Sequence, residues 1–158
     1  MDKNFCALGL MSGTSMDGID ASIISSNGID DFEIMQNKYY KYDDKFINKL
    51  SNLKNKIYKL DDFKSHFNDL KTIEREITIL HAKFTNDILM KFKHKIDLVG
   101  FHGQTIYHNP DEKISKQLGD GKLLSQLIKK KVVYNFREND IKSNGNGAPL
   151  TPIYHSAI

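Results

Sequence analysis

The chain has 158 residues, of which 39% are hydrophobic and 27% charged, an ordinary globular balance that excludes disordered, collagen-like and linker-like polymers. One cysteine, Cys6, excludes an internal disulfide and a cysteine-based zinc site, and no run of about 18 uncharged apolar residues offers a membrane span. The net charge of +3 rests on lysines spread along the chain rather than gathered in a stripe, so neither a nucleic acid nor a membrane is expected as a partner.

The opening residues, Met1 to Phe5, hold no apolar core for a secretory leader, and the expectation is a cytoplasmic, soluble protein of one domain. Phe5 to Leu10 is an apolar run bounded by turn residues, the pattern of a buried strand. Met11 to Asp20 is a turn of small residues, after which Ala21 to Ser25 resumes a strand. Asn27-Gly28 marks a tight turn, and Phe32 to Tyr42 alternates as a third strand. Phe46, Ile47, Leu50, Leu53 and Ile57 fall at helical spacing. A longer helix is predicted from Asp69 to Lys93, with Glu74 and Glu76 early and Lys91 and Lys93 late, as the helix dipole favours. Its His81, and His94 just beyond, read as surface or groove histidines. Ile96 to Phe101 is predicted as a strand ending in a polar turn, His102 to Thr105. Leu123 to Lys131 reads as a short helix whose end carries Lys129, Lys130 and Lys131, and Lys131 to Phe136 as a strand. Asn144 to Leu150 is a loop. Strands alternating with helices, with polar residues at strand ends, predict an α/β fold that binds its ligand at those ends.

Three segments carry candidate chemistry. In Gly13-Thr14-Ser15-Met16-Asp17-Gly18-Ile19-Asp20, small residues admit an anion close to the backbone, and consecutive N–H groups can cradle phosphate oxygens. The hydroxyls of Ser12, Thr14 and Ser15 add donors, and Asp17 and Asp20 can hold Mg²⁺. The same composition also suits a plain polar hairpin, and it is neither a Walker A nor a Rossmann sequence. His102-Gly103-Gln104-Thr105, with His108 nearby, supplies donors and acceptors for sugar hydroxyls, or caps its own turn. Arg137 and Asp140 can grip a carboxylate and a hydroxyl, or form an internal ion pair. Cys6, inside a strand, reads as buried and inert.

Four blocks resemble the anhydro-N-acetylmuramic acid kinase family in order. They are Leu8 to Asp20; Phe101 to Pro110 with Gln117-Leu118-Gly119-Asp120-Gly121; Asn135 to Ile141; and Gly145 to Pro152. The resemblance implies the N-terminal lobe of an actin-like, sugar-kinase and heat-shock-ATPase fold of the ribonuclease H-like type, over residues 1–158. It implies ATP and Mg²⁺ as cofactors, with Ser12, Gly13, Thr14, Ser15, Met16, Asp17, Gly18, Ile19 and Asp20 on the nucleotide side. Asp17 and Asp20 would meet the metal. His102, Gln104, Thr105, Arg137 and Asp140 would line the side of the anhydro sugar. The implied reaction is hydrolytic opening of the 1,6-anhydro ring with phosphorylation of O6, in peptidoglycan recycling. Asn135 replaces the family's usual aspartate, and Asn144 and Asn146 replace a glycine and a glutamine. The family's chains are about twice this long, so the second lobe and the catalytic base are expected beyond Ile158. On that basis the chain alone is expected to turn over little. It would act as a ligand-binding remnant or as half of a split enzyme, its partner a second copy or a separately encoded C-terminal lobe.

Overall fold

Residues 5–41 build an antiparallel meander: β1 (Phe5–Ser12), β2 (Gly18–Ser26) and β3 (Phe32–Lys41), with side chains alternating between the two faces. The computed structural model describes residues 4–152. Leu8, Leu10 and Ser12 of β1 and Ile19, Ala21 and Ile23 of β2 are buried on one face. Asp43 caps α1 (Asp44–Lys54) by accepting from Phe46 N–H at 2.8 Å. A short helix that periodicity does not reveal, α2 (Leu60–Ser65), leads into α3 (Phe67–Lys91). α3 buries Leu70, Ile73, Ile77, Ala82 and Ile88 as an apolar stripe.

The chain then enters β4 (Leu98–Asn109), parallel to β1. Its first half, Val99 to Phe101, pairs in parallel with β6 (Val132–Tyr134). Its second half, Gln104 to Asn109, pairs antiparallel with β5 (Ile114–Leu118). The sheet order is β3-β2-β1-β4-β5, with β6 beside β4. Between β5 and β6 lies α4 (Gly121–Ile128), capped by Asp120, which accepts from Lys122 and Leu123 N–H. Lys129 ends α4 in a left-handed conformation and Lys130 Nζ donates to Ile96 C=O at 3.2 Å, so this lysine run serves a helix end. α5 (Phe136–Lys142) follows β6 directly.

The α/β expectation holds, and four local readings are corrected. His102 to Thr105 is not a turn but the middle of β4. The strand expected over 131–136 is only three residues long, because Asn135 turns the chain left-handed and starts α5. His81 is fully buried, since it follows Ile77 by one turn and joins the apolar stripe of α3. Cys6 is only half-buried. Among the described residues no helix is long and apolar enough to cross a membrane.

Candidate active site

The loop between β1 and β2 is held from beneath by a buried network. Ser12 Oγ lies 2.9 Å from His81 Nε2 and 3.1 Å from Tyr42 Oη. His81 Nδ1 lies 2.8 Å from the Ile77 carbonyl, which can only accept, so Nδ1 carries the proton. Burial pushes His81 down to about 4, so the ring is neutral near pH 7 and Nε2 must accept. Ser12 therefore donates to His81, and Tyr42 donates to Ser12. Burial also pushes the Tyr42 hydroxyl up to about 12, which keeps that proton in place. The Ser12 hydroxyl, a sequence candidate for phosphate, faces inward and is fully engaged.

Three further bonds fix the loop. Gln104 Nε2 donates to the Gly13 carbonyl at 2.7 Å, Met16 N–H to the same carbonyl at 3.2 Å, and Tyr42 N–H to Asp17 C=O at 2.8 Å. Met16 takes a left-handed φ of 58° and buries its side chain, as do Ile19 and the backbone at Gly18. What the loop presents outward is Thr14, Ser15, Asp17 and, on β2, Asp20, all exposed. Ser15 Oγ donates to Asp17 Oδ1 at 2.5 Å, and this bond holds the Asp17 carboxyl below its ordinary range. Tyr39 also bonds Asp17 and feels the charge of both Asp17 and Asp20. Among the described residues no group of three or more His, Cys, Asp or Glu is gathered for a metal, so Asp17 and Asp20 contribute two carboxylates and no more.

Gly103 explains why a polar motif sits inside a strand. Its φ is 72°, and a Cβ there would lie 2.6 Å from the Leu118 carbonyl. The β1–β4 register slips between Leu10 and Ser12, with Leu10 opposite Phe101 and Ser12 opposite Gln104. The bulge places His102 and Gln104 in different surroundings although they are two residues apart. Gln104 is fully buried with Oε1 unpartnered, and Thr105 is buried, its Oγ1 3.4 Å from Gln117 Nε2. His102 stays half-buried and meets Arg137: Arg137 Nε donates to His102 Nε2 at 2.9 Å. His102 Nδ1 in turn donates to the Gly103 carbonyl at 2.7 Å. Burial, then the Arg137 charge, lowers the His102 pKa, consistent with a neutral ring that accepts from arginine.

Asp140 does not pair with Arg137. Its Oδ2 accepts from Gly147 N–H at 2.8 Å and its backbone carbonyl from Gly145 N–H at 2.8 Å, so it shapes the 144–147 turn. The motif residues thus form two clusters on neighbouring strands. One is the loop with Gln104, Ser12 and His81; the other is His102 with Arg137. Sequence reasoning missed His81 and Tyr42, although the spacing of His81 from Ile77 was a usable signal. On the sheet face away from α3, a groove of about 700 Å³ runs past Gly9, Met11, Asp20, Gly100, His102 and Phe136.

The molecule is thus an α/β protein whose mixed sheet carries a clamped loop at the end of β1 and a histidine–arginine pair at the bulge of β4. The chain belongs to the anhydro-N-acetylmuramic acid kinase family, whose model matches residues 5–158. It is 52% identical over 158 residues to the anhydro-N-acetylmuramic acid kinase of Pelagibacter ubique (strain HTCC1062), covering all of this chain and 42% of that protein. It is 40% identical to the enzyme of the same name from Rhizobium etli, covering all of this chain and 44% of the relative. The Brucella canis protein of that name is 39% identical over 96% of this chain and 42% of its own length. The chain therefore spans less than half the length of these relatives. The family carries the sugar-kinase and ATPase type of fold that the four motif blocks implied.

Proposed function

We propose that this chain supplies the N-terminal part of the cleft of an ATP-dependent anhydro-N-acetylmuramic acid kinase of cytoplasmic peptidoglycan recycling. The observation that supports it most is the family match across residues 5–158. In the proposed reaction water attacks C1 of the sugar and gives its proton to a carboxylate. The C1–O6 bond breaks, O6 takes the γ-phosphoryl group, and ADP leaves with N-acetylmuramic acid 6-phosphate as product. The proton acceptor is assigned to the part of the relatives that this chain does not match.

The chain's own residues suit a nucleotide with its metal. Asp17 and Asp20 would hold a Mg²⁺, an ion that needs only one or two protein carboxylates and that would supply charge stabilisation to the transferring phosphoryl group. Asp17, held ionised by Ser15, is matched to a cation. Thr14 and Ser15 face outward where phosphate oxygens would lie, while Gln104 and the Ser12–His81–Tyr42 network hold the loop rigid behind them. Phosphoryl transfer is chiefly positioning and charge stabilisation, so a rigid loop is what the chemistry asks of this lobe. The arginine at His102 serves the sugar side.

Calorimetry of the chain with the anhydro sugar and with Mg·ATP tests the reading, together with an assay for ATP-dependent release of the 6-phosphate. Binding of both ligands with little turnover is the expected result. Failure to bind either ligand overturns it.

A further inference from the structure

The two glycines of the β1–β2 loop are not alike. Gly13 has room for a Cβ, whose nearest neighbour would be Ser15 Oγ at 3.4 Å. A Cβ on Gly18 would lie 2.7 Å from the ring of Tyr39, so the approach of β3 excludes a side chain there. β3 in fact grips the loop from both faces of the sheet. Tyr42 reaches beneath it, with its hydroxyl on Ser12 and its N–H on the Asp17 carbonyl. Tyr39, three residues earlier, points the other way and stands opposite Asp20 across the β2–β3 ladder. From the open face its hydroxyl donates to the Asp17 carboxylate, which also accepts from Ser15 Oγ. Burial first, then that bond and the charges of Asp17 and Asp20, raise the pKa of the phenol, so it stays a donor.

The fold has little use for this bond. Tyr39 is 51% exposed, and a hydrogen bond within reach of water adds little to stability. What the bond fixes is direction: an exposed carboxylate beside a second one otherwise turns among its rotamers. We propose that Tyr39 is a positioning residue for the nucleotide's metal, holding the Asp17 carboxylate in one orientation beside Asp20 toward the Mg²⁺ of Mg·ATP. This rests on the kinase reading above. The hydroxyl acts through Asp17 and touches neither phosphate nor sugar.

The chain is titrated calorimetrically with Mg·ATP and with ATP in EDTA, as wild type and as Tyr39→Phe, which keeps the ring over Gly18 and removes only the hydroxyl. The variant should bind Mg·ATP about 3- to 10-fold more weakly, the worth of one hydrogen bond, and metal-free ATP within about twofold of wild type. Its urea midpoint should match that of the wild type. In an Asp17→Asn background the same change should cost less than about twofold, since the carboxylate it orients is gone. Unchanged Mg·ATP affinity in Tyr39→Phe overturns the inference while leaving the kinase reading intact. So does an equal loss with and without metal, which makes Tyr39 a nucleotide contact, and so does an equal loss in the Asp17→Asn background. A drop in the urea midpoint that accounts for the lost affinity makes the role structural and overturns it as well. A wild-type chain that does not bind Mg·ATP overturns the nucleotide reading and this inference together.

Discussion

His81 makes the fold acid-sensitive in a way that can be isolated. The ring is fully buried and its pKa is about 4, whereas an unfolded histidine sits near 6.5. As pH falls through about 6.5 the unfolded chain takes up a proton that the folded chain refuses until about 4, so acidification favours unfolding. The whole gap is worth about 3 kcal/mol, of which about 2 kcal/mol falls between pH 7 and pH 5. His102 and His108 are lowered as well and act in the same direction, so the wild-type curve alone does not single out His81. Urea unfolding of the wild type and of His81→Phe, each at several pH values between 7 and 5, does so by subtraction. The variant should be less stable at pH 7, because Ser12 Oγ and the Ile77 carbonyl lose their partner, and should lose about 2 kcal/mol less than the wild type on acidification. Where phenylalanine is not accommodated, His81→Gln serves, since it offers Ser12 an acceptor that does not titrate. Parallel stability–pH curves for wild type and variant would refute the neutral, Nδ1-protonated assignment and the donor directions built on it.

Three further outcomes follow from the same geometry. Ser12→Ala should cost about 2 kcal/mol, by orphaning His81 Nε2 and Tyr42 Oη, with Mg·ATP affinity unchanged in calorimetry; a large loss of nucleotide affinity in a folded variant would make Ser12 a phosphate ligand after all. Gly103→Ala should destabilise by about 2 kcal/mol or more, read as a drop in the urea midpoint, since it forces a side chain into a left-handed φ and against the Leu118 carbonyl. Asn135→Asp should leave the unfolding free energy from urea titration within about 0.5 kcal/mol, because the Asn135 side chain makes no cap bond to α5.

The strands and the long helix were legible because their signals are local. Leu8, Leu10, Ile19, Ala21 and Ile23 alternate, and Leu70, Ile73, Ile77 and Ile88 repeat at helical spacing. β5 was not legible, because Ile114 to Leu118 alternates Ser115 and Gln117 with Lys116 and becomes a strand only by pairing with β4. The site was legible in its residue types and illegible in its connections. Ser12 and His81 are 69 positions apart and Gly13 and Gln104 are 91 apart, and no spacing rule reaches across such distances. The bulge at Gly103 was hidden for a related reason: glycine between histidine and glutamine reads as a turn until the neighbouring strands show the ladder continuing past it.

The departures from the family pattern look different once backbone conformation is considered. Asn135 has φ 61° and Asn144 has φ 68°, both left-handed. Asparagine is among the few residues with a side chain that enter this region at little cost. At 144, where the family usually has glycine, asparagine meets the same backbone demand. At 135, where the family usually has aspartate, the demand is set by the sharp passage from β6 into α5, which asparagine satisfies without a carboxylate. The backbone that aims Arg137 at His102 thus survives the change at its neighbour two positions away. Any role for a carboxylate at 135 would have to lie in contact with a ligand, because the fold itself makes no use of one there.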